Sequence, residues 1–309
     1  MQPTASKVTS STFCAEASRA CQEPIAGTAA AETSIWIALE YPGPWGRKAL
    51  KTSGLSAATR SHLAGWMDTV PGSRVQLIKH EGEHVEGSHP TTLLIGLASE
   101  QDPALYRFEL PSPDAVRDFD LEAVLRRDPA LAAHRVDEPV VLVCTNGQRD
   151  RCCAKFGVPV YRRFAALAPA RAWQTTHIGG HRFAATLVVL PHGIVYGHME
   201  VDEVEPCLRA HERGELYSLA RLRGRSCHSK ASQAAESMLR ARLGDLKLES
   251  LRRLDEQVTE RESTSEVHVR FEDRAGTTHE VRYLSELQSV TRPKGCGEPP
   301  QAIRRYRPL

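Results

Sequence analysis

Two hydrophobic patterns alternate along this chain and predict its secondary structure. Short runs of mostly apolar residues are typical of buried strands, and apolar residues recurring at helical spacing are typical of helices. Clusters of proline and glycine, such as the one at 42–46, separate the segments. The predicted strands are 34–40, 74–80, 91–99, 104–110, 139–144, 170–177, two within 182–199 and two within 266–284. The predicted helices are 13–21, 56–67, 118–133, 157–168, 204–214 and 232–244.

Residues beside the helical segments predict where several helices begin and end. Ser56 precedes one segment and is expected to be its N-cap, and Asp118 or Asp120 is expected to cap the next. Pro159 is expected in the first turn of the helix 157–168, where a missing N–H is tolerated. Gly244 is expected to end the helix 232–244 as a C-cap.

The order of these elements predicts an α/β fold with two similar halves. Each half runs strand, loop, helix, strand and then two further strands, which is the order of a thioredoxin-like unit. The segments WIALEYPGPWG and VVLVCTNGQRD occupy matching places in the two halves. We therefore predict two thioredoxin-like lobes with a C-terminal β-hairpin. The predicted divisions are an N-terminal lead-in at 1–30, a first thioredoxin-like lobe at 31–136, a second at 137–245 that alone carries the candidate ligands described below, and a hairpin with a basic tail at 246–309.

Composition and charge narrow the classes of function. The chain has 309 residues, of which 41% are hydrophobic and 25% are charged, a balance typical of globular proteins. The net charge of +2 gives no argument for binding nucleic acid or a membrane surface. No apolar run approaches the roughly 18 residues that span a bilayer, and the first thirty residues lack the apolar core of a signal peptide. We therefore expect a cytoplasmic protein, in which eight cysteines indicate metal or redox chemistry rather than disulfides.

Two thiols and two imidazoles form the candidate site. Cys144 ends a predicted strand and Cys153 follows it, whereas His177 ends the next predicted strand and His181 follows that one. In a thioredoxin-like unit these segments meet on one side of the sheet, so the four side chains are expected to converge. Zinc accepts such ligands, but small zinc modules usually pair cysteines two to four residues apart. The wider spacing favours a binuclear iron–sulfur cluster, with the cysteines on one iron and the histidines on the other.

Three segments of the second half also carry a resemblance to a known family. NGQRDRCCAKFGVPVYRRF, WQTTHIGGHRFAATLVVLPHGIVYGH and LRGRSCHSKASQAAE resemble the sucrase/ferredoxin-like family, the thioredoxin-like ferredoxins, as do EYPGPWGRKAL and GTAAAE in the first half. The resemblance covers roughly residues 14–300. It implies a [2Fe–2S] cluster bound by Cys144, Cys153, His177 and His181.

The implied ligand set has consequences for function. Other clusters with two histidine ligands have potentials of roughly −150 to +300 mV, against about −400 mV for plant ferredoxins with four cysteines. Each ligating imidazole keeps a remote N–H, so reduction is expected to be coupled to a proton. We therefore expect a redox carrier rather than an enzyme, with an unidentified redox protein as its partner. No pair of carboxylates is placed for glycoside hydrolysis.

The residues alone leave alternatives open. Cys152 could replace Cys153 as a ligand, and the site could hold zinc in a binding module. A thiol oxidoreductase could use Cys152 with Cys153, or Cys14 with Cys21, although no Cys-x-x-Cys motif is present. Cys296 is expected in a turn or near the cluster.

Several other residues flank the site in the sequence. His192 and His198 are expected to be surface or core groups rather than ligands. The neighbouring arginines either are solvated at the surface or pair with an acid such as Asp150, or they offset the charge of the cluster or dock an acidic partner. They are Arg149, Arg151, Arg182, Arg221, Arg223 and Arg225.

Overall fold

Two β-sheets organise the residues that the computed structural model describes, which are 13–82 and 90–309. Nine strands in these ranges form one mixed sheet, and four form a separate antiparallel sheet. The strands of the large sheet are β1 (Ile35–Glu40), β2 (Ser73–Lys79), β3 (Thr91–Leu97), β4 (Ala104–Leu110), β5 (Val140–Cys144), β6 (Ala172–Thr175), β7 (Leu187–Leu190), β8 (Ile194–Tyr196) and β9 (Leu222–Arg225). Those of the small sheet are β10 (Leu251–Glu260), β11 (Thr264–Asp273), β12 (Thr278–Pro293) and β13 (Pro300–Pro308). The predicted mixed α/β fold is confirmed.

The large sheet contains one strand arrangement twice. Its order is β4-β3-β1-β2-β6-β5-β7-β8-β9. In the first run β1 pairs parallel with β2 and antiparallel with β3, and in the second run β5 pairs parallel with β6 and antiparallel with β7. The runs meet where β2 pairs antiparallel with β6 through Ile78–Thr175 and Lys79–Gln174. The strands thus make one continuous sheet, and its division into two lobes stays a prediction.

The helices pack against these sheets. They are α1 (Cys14–Ala20), α2 (Ala49–Thr52), α3 (Ala57–Thr69), α4 (Leu121–Leu125), α5 (Arg151–Leu167), α6 (Val204–Glu212) and α7 (Lys230–Leu243). The expected caps are present, since Ser56 accepts a hydrogen bond from Thr59 N, Asp120 accepts one from Ala123 N, and Gly244 is left-handed at φ +67°. None of these helices, nor any other in the described part of the chain, is long and apolar enough to cross a bilayer.

The helix predicted at 118–133 is shorter than expected. Only α4 is α-helical there, and a 3-10 segment, Pro129–His134, follows it. Asp128 begins the 3-10 segment by accepting a hydrogen bond from Ala130 N. The first helix ends where Arg127 adopts a left-handed φ of +55°, and the N–H groups of Arg127 and Asp128 donate back to the Val124 and Ala123 carbonyl oxygens.

The prediction for α5 was wrong at its start. Asp150 accepts a hydrogen bond from Cys152 N and begins the helix at Arg151, six residues before the predicted start. Pro159 therefore lies inside the helix rather than in its first turn, and the helix lacks the hydrogen bond that its N–H would have donated. The earlier start places Cys153 in the first turn of α5, so the stretch between the two cysteines is mostly a short loop.

The C-terminal region forms more than the predicted hairpin. The hairpin is present as β11 and β12, but β10 pairs with β11 and the basic tail pairs with β12 as β13. The hairpin's inward face, including Val269, Phe271 and Tyr283, packs with Ala235 and Leu239 of α7. A two-stranded hairpin is marginal in water, and the extra strands and the helix cover its apolar face.

Candidate metal centre

The sheet brings Cys144, Cys153 and His177 together. Strands β5 and β6 are parallel and end at one edge, where Cys144 pairs with Thr175 and His177 follows two residues later. The first turn of α5 adds Cys153 from above this edge. The Cys144 Sγ and Cys153 Sγ atoms lie 3.8 and 3.6 Å from His177 Nδ1, and the three donor atoms fall within 4.8 Å of one another. Both thiols are fully buried, and His177 is half-buried.

A glycine lets the helix carrying Cys153 approach the strand carrying Cys144. Gly157 lies on the face of α5 that rests on β5. A Cβ at this position would lie 2.1 Å from the Cys144 carbonyl oxygen and 3.2 Å from its carbonyl carbon. Only a residue without a side chain permits this approach, which sets the separation of the two thiols.

His181 lies beside this group, and one of its ring nitrogens has no hydrogen-bond partner among the described residues. Its ring stacks on that of His177 with the centroids 5.4 Å apart. Its Nε2 lies 2.9 Å from the Lys294 carbonyl oxygen, which can only accept, so Nε2 carries the proton and Nδ1 carries the lone pair. Nδ1 is buried and has no hydrogen-bond partner among the described residues. Burial lowers the pKa of His181 to about 4, so the ring is neutral near pH 7.

The pKa values of the two thiols of this group are shifted in opposite directions. A hydrogen bond from Cys153, helped by the nearby His177 ring, holds the pKa of Cys144 well below its usual value. The pKa of Cys153 is raised because its proton is held in that bond and because the thiol is buried. The lowered pKa of Cys144 favours its thiolate, which is the form of cysteine that binds metals.

Two arginines fix the histidine loop. Arg223 is fully buried and donates to the Gly179 carbonyl oxygen at 2.9 Å, to Thr28 Oγ1 at 3.2 Å and to the Thr28 carbonyl. Arg74 donates to the His177 carbonyl oxygen at 3.1 Å. Gly180 has a φ of +71°, and a Cβ on it would lie 2.2 Å from Arg223 Nη2. The glycines of the loop thus leave room for the arginine that holds it.

Next to this Cys/His centre (Cys144, Cys153, His177 and His181) lies a second group, the three-thiol cluster of Cys14, Cys152, Cys296 and Asp150. The Sγ–Sγ distances are 3.5 Å for Cys14 and Cys152, 3.3 Å for Cys152 and Cys296, and 3.8 Å for Cys296 and Cys14. Asp150 accepts backbone N–H groups of Cys152 and Cys296, each at 2.9 Å. Burial acts to raise the pKa of Asp150, but these hydrogen bonds outweigh it and the pKa is lowered.

The remaining cysteines of the sequence prediction are now placed. Cys152 faces away from Cys144 and into the three-thiol cluster, and Cys296 joins it there, close to the Cys/His centre as one expectation had it. Cys14 lies in the same cluster, whereas the Cys21 thiol donates to the Ser18 carbonyl oxygen. The structure therefore brings Cys14 to Cys152 and Cys296.

The flanking histidines and arginines are mostly tied into the fold. His198 Nδ1 accepts a hydrogen bond from Arg19, and His192 lies 3.9 Å from Glu249. Arg182 pairs with Glu23 at 2.8 Å, and Arg221 pairs with Glu203 at 2.9 Å.

Arg223 and Arg225 are buried, which limits the roles that these two arginines can have. Each is 1% exposed, so surface solvation and docking of a partner are excluded for these two. That they offset the cluster's charge stays a prediction. Arg225 pairs with Glu236 at 3.6 Å and donates to the Leu248 carbonyl oxygen. Acceptors on neighbouring segments replace part of the water that these two guanidinium groups lose on burial.

A model of the family described as sucrase/ferredoxin-like matches residues 25–224 of the chain. The match covers more than half of the 309 residues and contains all four members of the Cys/His centre. The chain belongs to the sucrase/ferredoxin-like family. Searches of the curated proteins and of the solved structures found no significant match. The sucrase/ferredoxin-like match confirms the resemblance, although it is narrower than expected and leaves out Cys14 and Cys296.

Sequence reasoning missed three groups that shape the site. Asp150 caps α5 and lies 3.6 Å from His181 Nδ1, the Lys294 carbonyl oxygen orients His181, and Arg74 holds the His177 backbone. Of the three, only Asp150 could have been found from the sequence, because aspartate is a preferred N-cap residue and it directly precedes Arg151, where α5 begins. Lys294 and Arg74 act through contacts that span 113 and 103 residues.

Proposed function

We propose that this protein is a cytoplasmic electron-transfer protein whose [2Fe–2S] cluster is bound by Cys144, Cys153, His177 and His181. The observation that carries the proposal is the convergence of two buried thiols on His177 Nδ1, with the orphaned Nδ1 of His181 beside them. All eight cysteines are free thiols, which supports a reducing compartment. Protein purified without oxygen is expected to contain about two iron and two labile sulfide per chain. Stoichiometric zinc with no iron would contradict the proposal.

The spread of the donors favours a binuclear group over a single zinc ion. Donors around a tetrahedral zinc lie about 3 to 4 Å apart, since each bond is about 2.0 to 2.3 Å. The donors of Cys144, Cys153 and His177 are grouped within 4.8 Å, and His181 lies outside that group. A fourth donor that lies more than 4.8 Å from at least one of the other three suits a group with two metal ions better than a single ion. A thiol oxidoreductase is disfavoured, because Cys152 and Cys153 point into different clusters.

The chain's own residues would prepare the site for its cluster. When bound, a [2Fe–2S] group supplies one-electron redox chemistry. The Lys294 carbonyl fixes the tautomer of His181 and so keeps Nδ1 free for a metal, the usual part of such an outer partner. Cys144 and Cys153 are buried, so water is kept away from the sulfur atoms that would bind the cluster. His177 is half-buried and connects the site with the surface.

Histidine ligation predicts a potential that depends on pH. Because an imidazole ligand retains an N–H that reduction makes more basic, the potential is expected to fall as the pH rises. Changing His181→Cys or His177→Cys adds a thiolate charge, which is expected to lower the potential and flatten this slope. Potentiometric titration at several pH values measures both effects. His192→Cys, the same change at a histidine beside Glu249, is the control and should alter neither, and an unchanged potential in His181→Cys would remove His181 from the ligand set.

A basic groove beside the site suggests how a partner binds. The groove encloses about 820 Å³ and opens onto His177. Its lining contains no aspartate or glutamate from the described ranges. The basic side chains of the lining are Arg47, Lys48, Lys51, Arg60, Arg74 and Arg149. We propose that an acidic redox protein docks here, next to the ligand that reaches the surface.

Charge reversal in the groove tests this docking surface. Lys48 and Lys51 are both exposed, so Lys48→Glu/Lys51→Glu should leave the fold and the iron content unchanged. At low salt the double variant is expected to reduce ferricyanide about tenfold more slowly, with little difference at high salt. Stopped-flow kinetics measures the rate, with Lys247→Glu as an exposed control. A rate that falls equally in the control, or that does not depend on salt, would argue against the groove.

The repeated strand order supports two thioredoxin-like lobes. The runs β4-β3-β1-β2 and β8-β7-β5-β6 have the same order and the same parallel and antiparallel pairings. We propose the boundaries 31–136 and 137–245 for them, with the cluster in the second. In the first lobe the place of the cysteine loop is taken by 41–46, which contains no ligand-type residue.

A further inference from the structure

We propose that the three-thiol cluster of Cys14, Cys152, Cys296 and Asp150 is a second metal site, which holds one structural zinc ion. It is separate from the Cys/His centre in every ligand. Cys14 and Cys296 lie outside residues 25–224, which the family model matches, so that model does not contain this site. Nothing in the proposed electron transfer requires it.

The distances fit three thiolates on one tetrahedral ion. Zinc–sulfur bonds of about 2.3 Å at tetrahedral angles place the sulfur atoms about 3.8 Å apart. The three Sγ–Sγ distances are 3.3, 3.5 and 3.8 Å. The closest Asp150 oxygen lies 3.8 Å from Cys14 Sγ, and all four donor atoms fall within 4.8 Å of one another. The group therefore offers the four ligands that a closed structural zinc site needs.

Asp150 has lone pairs left for a metal. Each of its oxygens already accepts one backbone N–H, from Cys152 or from Cys296. A carboxylate offers about four lone-pair positions, so one oxygen can still bind an ion. Three thiolates and one carboxylate carry the same formal charge as the four thiolates of common structural zinc sites.

The surroundings of the cluster favour an ion over free thiols. Cys14, Cys152 and Asp150 are 1%, 0% and 7% exposed, and Ala15, Ala184, Phe13 and Phe156 close around them. Two backbone N–H groups already stabilise the buried Asp150 carboxylate. Three thiolates packed beside it would still repel one another and the carboxylate, and a divalent cation in the middle of the four donors would remove that cost. The apolar shell excludes the water that would compete for the ion.

The position of the cluster gives the ion a role. Cys14 comes from α1, Cys152 from the first turn of α5, and Cys296 from the loop between β12 and β13. Cys152 is thus joined to residues 138 and 144 positions away along the chain. One ion would clamp these three distant segments, while the hydrogen bond from Cys152 N to Asp150 holds the start of α5 with or without the ion.

Metal counting on the intact protein tests the proposal. Wild-type protein purified without oxygen or chelators is expected to contain about one zinc per chain in addition to iron. Cys296→Ser should lose the zinc and keep the iron, whereas Cys144→Ser should lose the iron and keep the zinc. Cys227→Ser, which alters another half-buried free cysteine, should keep both. The separate counts of iron and zinc distinguish failure of this site from failure of the Cys/His centre.

X-ray absorption at the zinc edge gives a second, independent readout. Three sulfur neighbours near 2.3 Å and one oxygen near 2.0 Å are expected in the wild type, as roughly typical bond lengths. Two sulfur and two nitrogen neighbours would mean that zinc occupies the Cys/His centre and would overturn the proposal. Zinc that survives Cys296→Ser, or a wild type without zinc whose Cys152 forms a disulfide with Cys14 or Cys296, would overturn it as well.

Discussion

Cys144→Ser is expected to remove all cluster iron from the purified protein. The side chain is fully buried at the end of β5, so no other ligand can reach its position, and a serine hydroxyl is a poor replacement for a thiolate on iron. Iron analysis and the visible spectrum of protein purified without oxygen measure the loss.

The matched control for this variant is Cys207→Ser. Cys207 is also fully buried, but it lies on α6 and in neither thiol cluster. A hydroxyl buried there carries a similar cost to the fold while leaving the proposed ligands intact, so the iron content should stay at the wild-type value. Iron retained in Cys144→Ser, or lost equally in both variants, would contradict the role of Cys144 as a ligand.

Gly157→Ala is expected to destabilise the protein and to lower its iron content, although no ligand is changed. The new methyl group would lie 2.1 Å from the Cys144 carbonyl oxygen, and backbone cannot move aside cheaply. Helix α5 must shift away from β5, which separates Cys153 from Cys144. Overpacking of this kind typically costs about 1–3 kcal/mol. Denaturant unfolding and iron analysis measure the two effects.

Gly65→Ala is the control for a glycine-to-alanine change inside a helix. Gly65 lies in α3, and apart from its chain neighbours and the adjacent backbone of its own helix, no described atom lies within 4 Å of the position of its Cβ. Alanine is favoured over glycine in helices by about 1 kcal/mol, so this variant should be as stable as the wild type or more so. Wild-type stability in Gly157→Ala would show that the contact between α5 and β5 is looser than the structure indicates.

Local patterns predicted most of the strands and the placement of the cysteine at the end of β5. The apolar run ending at Cys144 and the four-residue spacing of His177 and His181 are features that a sequence displays directly. The register of β5 and β6 places Cys144 close to His177, and the His181 ring stacks on that of His177. The family match includes the whole segment from Cys144 to His181, so the family assignment and the local pattern point to the same part of the chain.

The start of α5 was not predictable from hydrophobic periodicity. The first turn, RDRCC, is polar and cysteine-rich, so the apolar stripe begins only later in the helix. The N-cap Asp150, rather than the stripe, determines the first residue. This error made the cysteine loop look wider than it is, and it hid the opposite directions in which Cys152 and Cys153 point.

The three-thiol cluster was beyond any local pattern. Cys14 and Cys296 lie 282 residues apart, and both are brought to Cys152 by packing of α1 and of the loop after β12. The burial of Arg223 was missed for the same reason, because its acceptors at Gly179 and Thr28 lie far away in the sequence. From the sequence alone, a charged residue on a short strand is predicted to be exposed, because its buried acceptors cannot be identified.

The central claim is that two thiols and two imidazoles of this chain bind a [2Fe–2S] cluster. The most direct measurement is pulsed electron paramagnetic resonance of the dithionite-reduced protein, prepared with 15N-labelled histidine. The account predicts a signal from one unpaired electron, coupled to nitrogen of two histidines, with one coupling lost in His177→Cys and one in His181→Cys. A reduced cluster without histidine coupling, or a colourless protein without any signal, would contradict it.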